Sequence, residues 1–216
     1  KRGTFNLLGY RTNFVLPVHY TTRINRSPSS PTQQAVPQPD YRNIEAKFQL
    51  SLRTKVLQDF GLPGADLWMG FTQQSLWQIY NSTDSKPFRN TDYEPELMYV
   101  VPIPERMRAL PAGWQWRMVQ ASLIHQSNGQ SDPMSRSWNR LQFGTAFERG
   151  NWALSARLLH RLPESDDDDN NPDLLSYRGR WELQADWSSG RHTAGLLYRS
   201  TVRDVSLGAI QFDWSY

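Results

Sequence analysis

The chain has 216 residues, enough for one domain with a sizeable core, and no compositional boundary divides it, so residues 1–216 read as a single domain. It contains no cysteine, which excludes disulfide frameworks, thiolate metal sites and cysteine nucleophiles. The formal net charge of +3 is small and dispersed, without the basic stripe of a nucleic-acid footprint, so nucleic acid is not an expected partner.

No run approaches the roughly 18 consecutive apolar residues of a membrane-spanning helix, and the N-terminus lacks the basic-then-apolar pattern of a signal peptide. The chain therefore reads as soluble, or as a mature barrel protein whose signal has been removed. Low mean hydropathy does not choose between these, because a barrel strand sets only every second residue against lipid. Alternation is the more useful signal.

In chain order, the first alternating segment runs from Phe14 to Tyr20, and a long polar stretch from Asn25 to Tyr41 follows. From Ile44 to Arg53 the pattern is strict: Ile44, Ala46, Phe48, Leu50 and Leu52 alternate with polar or charged neighbours, as in a strand with one apolar face. Weaker copies cover Leu67 to Trp77, Tyr93 to Val101, Trp114 to Ser127, Trp138 to Glu148 and Trp152 to Leu159. After a second polar stretch from His160 to Ser176, strict alternation returns from Arg180 to Trp187, and weaker copies follow from Thr193 to Arg199 and from Val205 to Tyr216.

About ten strands result, with no convincing helical period. Tight links such as Arg149-Gly150-Asn151 and Ser188-Ser189-Gly190 contrast with the long polar ones, the usual division between the two rims of an outer-membrane barrel. Aromatic residues gather near strand ends (Trp68, Trp77, Trp114, Trp138, Trp152 and Trp214 among them), where interfacial girdles are expected. A soluble β-sandwich also alternates. The barrel is preferred because the polar faces carry charges that need a wet interior.

One segment carries chemistry. In the strand ending at Ser127 the apolar phase Val119, Ala121, Leu123 leads into His125 and Ser127, so both should point out of the barrel. Residues two apart on a strand share a face with Cα atoms roughly 6.5 to 7 Å apart, which lets an imidazole reach a serine hydroxyl. After turn-forming residues the chain returns with Asn139, Leu141 and Phe143 in the outward phase. An asparagine oxygen accepting the other imidazole N–H can orient the ring as an aspartate does. By itself, a His-x-Ser pair is more often a solvated strand end.

The whole string from His125 to Arg140, HQSNGQSDPMSRSWNR, resembles the signature of the outer-membrane phospholipase A family of Gram-negative bacteria. KPFRNTDYEP at Lys86 to Pro95, TQQSLWQ at Thr72 to Gln78 and Asn171-Pro172-Asp173 fit the same family in order. The resemblance runs over most of the chain from Glu45 onward. It implies an all-β, antiparallel transmembrane β-barrel of twelve strands in the cell outer membrane. With about ten strands visible here, either a C-terminal hairpin is missing or closure differs.

The resemblance also implies a serine ester hydrolase, a phospholipase A1/A2 acting on phospholipid in the outer leaflet. Ser127 would be the nucleophile, His125 the base then acid, and Asn139 its orienter, with Gly129 supplying an oxyanion N–H. The cofactor implied is calcium, held by the Gln130 carbonyl and the Ser135 hydroxyl, with Ser85 contributed by the partner subunit of an active homodimer. A second calcium site of the family uses a carboxylate where this chain has Asn170, next to the acidic run Asp166 to Asp169. Gln73, facing lipid as a bare amide, falls where the family places a glutamine in its dimer interface. Two rival readings remain: a non-enzymatic barrel, porin or adhesin, whose surface loop binds calcium, and a soluble sandwich esterase.

Overall fold

Strict alternation leaves each strand with one apolar and one polar face, and which face is sheltered decides between a sandwich and a membrane barrel. In the computed structural model, which describes residues 3–165, 169–201 and 208–216, the polar face is sheltered. Glu45, Ser51, Ser122, Arg140, Gln142 and Glu182 are buried. Leu50, Met69, Phe71, Leu97, Leu123, Phe143, Leu158, Leu183 and Leu196 are each at least 40% exposed. This inside-out distribution is that of a barrel whose outer wall meets hydrocarbon.

Eleven antiparallel strands make one curled sheet among the described residues: β1 (Leu7–Gly9), β2 (Phe14–Tyr20), β3 (Ile44–Leu57), β4 (Asp66–Trp77), β5 (Phe88–Pro102), β6 (Gln115–Ser127), β7 (Ser137–Arg149), β8 (Trp152–Arg161), β9 (Trp181–Ser189), β10 (His192–Ser200) and β11 (Gly208–Ser215). From β3 onward each strand pairs with the next, while β1 and β2 share the free edge of β3. No pairing joins β11 to β1 or β2 among the described residues. The two edges face each other across an opening lined by Phe14, Leu16, Ile210, Phe212 and Trp214.

Ten of these strands fall on the segments read from alternation; the start of the last one, Val205 to Leu207, lies outside the described residues. The addition is β1, three residues long and too short to show a period. Two single-turn helices, α1 (Glu105–Arg108) and α2 (Leu174–Arg178), also escape a periodicity argument for want of length.

The interior is held by paired charges. Glu45 accepts from Arg89 at 2.6 and 2.8 Å and from Gln78 at 2.8 Å. Glu94 accepts from Arg140 at 2.5 Å and pairs with Arg11. A buried charge is tolerable only with such partners. Two aromatics expected in the girdles join this network instead. Trp138 is buried beneath the Arg140 guanidinium, 4.3 Å from the ring centroid, and Trp68 lies under Arg53 at 4.9 Å. Both occupy the inward phase of their strands, where the ring face attracts the cation above it.

Because neighbours are antiparallel, the links divide between two rims. One rim has the links at 58–65, 103–114, 150–151 and 190–191; the other has those at 21–43, 78–87, 128–136 and 162–180. The candidate catalytic and calcium-binding residues lie on that second rim or at the strand ends beside it, and Gln73 lies within β4, four residues from its end on that side.

Candidate active site

The β6–β7 hairpin carries the central residues. His125 pairs with Asn139 and Ser127 with Ser137 in its register, and Ala121, Leu123 and His125 are exposed while Ser122 and Ile124 are buried. His125, Ser127 and Asn139 thus share the outer face, as the alternation predicts. The His125 Nδ1 lies 2.9 Å from Asn139 Oδ1, a hydrogen bond that requires the proton on Nδ1 and leaves Nε2 as the acceptor. Ser127 Oγ accepts from the Gly129 N–H at 3.1 Å. Among the described residues no hydrogen bond joins His125 to Ser127. Such contacts often tighten only around a bound substrate.

The loop between the strands is organised by Asn128, a residue whose sequence signal is only that of a turn former. Its backbone N–H donates to the Arg136 carbonyl at 2.9 Å, its Nδ2 donates to the Met134 carbonyl at 2.7 Å, and its Oδ1 accepts from the N–H of Arg136 at 2.9 Å and of Gln130 at 3.3 Å. Buried and held by four bonds, Asn128 closes the loop around itself. Gly129 then sits at φ +66°, a left-handed conformation in which a Cβ would lie 3.1 Å from the Tyr93 ring. Arg136 braces the outer turn, donating to the carbonyls of Ser135 at 2.5 Å and Pro133 at 3.1 Å.

The proposed calcium ligands are spread over three loops of this rim. The Gln130 carbonyl accepts no hydrogen bond among the described residues. Ser135 Oγ accepts from Asn170 Nδ2 at 3.1 Å, and Asn170 Oδ1 accepts from the Ser137 N–H at 3.0 Å. Asn170 therefore ties the 162–180 loop to the hairpin, with both ends of its amide engaged. Of the acidic run, Asp166 to Asp168 lie outside the described residues. Ser85, with φ +48°, lies in the β4–β5 link. Neutral carbonyl and hydroxyl oxygens are ligands that a hard cation such as calcium accepts, so the donor chemistry fits that ion. No group of three or more His, Cys, Asp or Glu with metal-site geometry occurs among the described residues.

A polar lane continues along the outer wall. Gln73 follows Met69 and Phe71 in phase, and its Nε2 donates to Ser75 Oγ at 3.3 Å; Ser75 Oγ in turn lies 3.0 Å from Thr91 Oγ1. Tyr93 stands between this lane and the hairpin, paired with Gln73 on one side and Ser127 on the other. Ser75 and Thr91 fall within the two blocks that carry the family resemblance, but no role for either is read from the sequence. Their significance comes from the β4–β5 register.

Comparison with known proteins agrees with this fold. The profile of the family described as Phospholipase A1 matches residues 1–216. A relative from Neisseria meningitidis is 38% identical over 188 residues, which cover 85% of this chain and 48% of that protein. Phospholipase A1 of Escherichia coli K12 is 36% identical over 186 residues, covering 86% of this chain and 61% of the relative. The chain thus spans about half to three-fifths of the length of these relatives. Among solved structures, the Salmonella typhi outer membrane phospholipase dimer with bound calcium aligns with a TM-score of 0.83 at 31% identity, over 100% of this chain and 80% of that one. Outer membrane phospholipase A from Escherichia coli aligns with a TM-score of 0.79 at 30% identity, over 97% and 76%. With an inside-out sheet, a His–Asn pair on its exposed apolar wall and a profile match along its whole length, the chain belongs to the phospholipase A1 family.

Proposed function

We propose that this barrel hydrolyses acyl esters of glycerophospholipids in the outer membrane of a Gram-negative bacterium, as a phospholipase A1/A2 that depends on calcium and is activated by homodimerisation. The observation that carries the proposal is the 2.9 Å contact between His125 and Asn139 on the outer face, beside Ser127. A catalytic group that points outward from a barrel is useful only toward a substrate in the membrane. The active-site mutant of the Escherichia coli relative, in which an asparagine is replaced by alanine, supports an asparagine in such a role.

In the proposed reaction, Ser127 Oγ attacks the ester carbonyl as His125 Nε2 takes its proton, with Asn139 Oδ1 steadying the resulting imidazolium through Nδ1–H. The tetrahedral oxygen collects negative charge within reach of the Gly129 N–H. Collapse expels the lysophospholipid alkoxide, which receives the proton from Nε2 and leaves an acyl-serine. Water, deprotonated at the same nitrogen, attacks that ester and releases the fatty acid. Calcium, held by the Gln130 carbonyl, Ser135 Oγ and the Ser85 carbonyl of a second copy, would supply positive charge beside the oxyanion. Asn170 is better placed as the tie that holds Ser135 than as a ligand.

Homodimerisation is supported by Gln73, whose amide lies on the hydrocarbon-facing wall with only its Nε2 engaged, and by the dimeric state of the Salmonella typhi relative. The decisive experiment is Ser127→Ala in the full-length protein, assayed on phospholipid in mixed micelles with and without a chelator, alongside sulfonyl fluoride labelling of the unaltered protein. Loss of hydrolysis and covalent labelling at Ser127 are expected. Retained hydrolysis in Ser127→Ala would overturn the triad, and an unaltered protein that neither hydrolyses phospholipid nor takes the label would return the chain to a non-enzymatic barrel.

A further inference from the structure

Asn139 is held at both ends. Its Oδ1 faces His125, and its Nδ2 donates to Glu164 Oε1 at 3.0 Å. The acceptor and donor ends of a primary amide are nearly the same size, and an imidazole can present either a donor or an acceptor at Nδ1. Contact with His125 alone therefore leaves two arrangements open: Oδ1 against Nδ1–H, or the NH2 against a bare Nδ1. Only the first puts the free acceptor at Nε2, where the serine proton must go. A carboxylate discriminates, because it offers only acceptors. Reversing the amide would set Oδ1 against an oxygen of Glu164 and lose a charge-assisted bond.

Glu164 is itself fixed. At the end of β8 the Leu162 N–H donates to the Asn139 carbonyl at 2.9 Å, which draws the following residues alongside the hairpin. Glu164 Oε2 pairs with Arg161 at 3.3 Å, and both side chains are largely buried. Arg161 is anchored in turn by Asp169 at 2.6 Å and by the Asn171 carbonyl at 2.9 Å. The carboxylate is thus aimed at Asn139 by a guanidinium with three separate partners.

We propose that Glu164 is a positioning residue for the reaction, fixing through Asn139 the tautomer and orientation of His125, so that a chain Ser127–His125–Asn139–Glu164 ends on Arg161. This rests on the triad reading above. A purely structural role, tying the 162–180 loop to the barrel, makes a different prediction about paired substitutions.

The test compares Glu164→Gln in two backgrounds in the full-length protein, the native one and Asn139→Asp, with kcat and KM measured on phospholipid in mixed micelles. In the native background a glutamine oxygen cannot serve Asn139 and Arg161 together, and kcat should fall about 10-fold with KM nearly unchanged. Asn139→Asp alone sets two carboxylates together and should also be impaired. Adding Glu164→Gln then offers the carboxylate introduced at position 139 a donor while the glutamine oxygen still faces Arg161, so the same substitution should raise kcat about 10-fold. Opposite signs in the two backgrounds establish the inference; the same sign in both, or no change in either, overturns it. These replacements are isosteric, and heat-dependent gel mobility checks that the barrel is intact. Ser127→Ala separates the two levels: if it still hydrolyses, the triad reading falls, and if it is inactive while Glu164→Gln acts alike in both backgrounds, only the positioning role falls.

Discussion

Tyr93 stands directly across from Ser127 in the β5–β6 register, and its ring also packs over Gly129, leaving only 3.1 Å between Cε2 and the place a Cβ at position 129 would occupy. One aromatic ring therefore stands beside both the proposed nucleophile Ser127 and the Gly129 backbone N–H. Gly129→Ala meets this ring and a φ of +66° together. The left-handed conformation alone costs an alanine about 1 kcal/mol. With the ring in the way, the loop must shift and carry its N–H off the oxyanion position. The expected outcome is a fall in kcat of about 100-fold, the scale of losing one oxyanion donor, with little change in thermal stability. Steady-state kinetics and heat-dependent gel mobility check both halves.

The triad geometry predicts graded, non-additive losses. In the proposed reaction Ser127→Ala and His125→Ala each remove a group that forms or breaks a bond, whereas Asn139→Ala removes only the orienter. Asn139→Ala should therefore cost less than either, and combining His125→Ala with Ser127→Ala should cost no more than Ser127→Ala alone. Residual hydrolysis measured over long incubations, against a no-enzyme blank, reads the order. An additive double variant would mean that the two residues do not act as a unit.

How far all this is legible in the sequence depends on the range of each relationship. The phase of Val119, Ala121 and Leu123 carries directly into His125 and Ser127, and Leu141 and Phe143 do the same for Asn139, so the outer placement of the triad follows from a period of two. Membrane barrel against sandwich follows less directly, since it needs the burial of Glu45, Arg140 and Glu182 to show which face is inside. Glu164 cannot be found this way. It follows the end of a strand by three residues, in a loop with no period, and reaches a partner 25 positions earlier. Asn128 is hidden for the opposite reason, because every sequence with this turn chemistry looks alike until its four bonds are seen. Trp68 and Trp138 fall outside the expected girdles because the inward phase of a strand outweighs nearness to its end.

Asn128 offers a test of the calcium assignment. Its backbone joins Ser127 to Gly129, but its side chain bonds neither and instead spans the loop from Gln130 to Arg136. Asn128→Ala removes those bonds and frees the loop that holds the Gln130 carbonyl and Ser135. The half-maximal calcium concentration for hydrolysis should rise about 10- to 100-fold, as when the support of a metal ligand is lost. Activity at saturating calcium should recover substantially. A calcium titration of the variant reads this, and an unchanged midpoint would remove the loop from the ion site.

Gln73 tests the dimer. Gln73→Leu replaces the one amide in the outward run Met69, Phe71, Gln73 with a side chain that hydrocarbon solvates as well as a partner does. A hydrogen bond between chains within a membrane is worth about 0.5 to 2 kcal/mol, so the dimer dissociation constant should rise between about 2-fold and 30-fold. Sedimentation equilibrium in detergent with calcium and an acylating inhibitor measures it. The expected signature is a variant less active at low protein concentration that regains wild-type kcat when concentrated.

The lumen predicts a stability effect that is separable from catalysis. Arg140 neighbours Asn139 in sequence but points inward, where its guanidinium bonds Glu94 at 2.5 Å and Gln126 at 3.2 Å and covers Trp138. Arg140→Met keeps volume and removes the charge, leaving Glu94 buried with Arg11 as its remaining partner. Losing one member of a buried pair costs about 3 to 5 kcal/mol. Because Arg11 still neutralises Glu94, the low end is expected here, about 3 kcal/mol. Adding Glu94→Gln removes the stranded charge as well, and although Arg11 then loses a partner it still reaches Glu96 at 3.5 Å. The double variant should therefore be more stable than Arg140→Met alone, as read by urea unfolding in lipid. If the two substitutions simply add, the Arg140–Glu94 pair is not what stabilises the wall behind the active site.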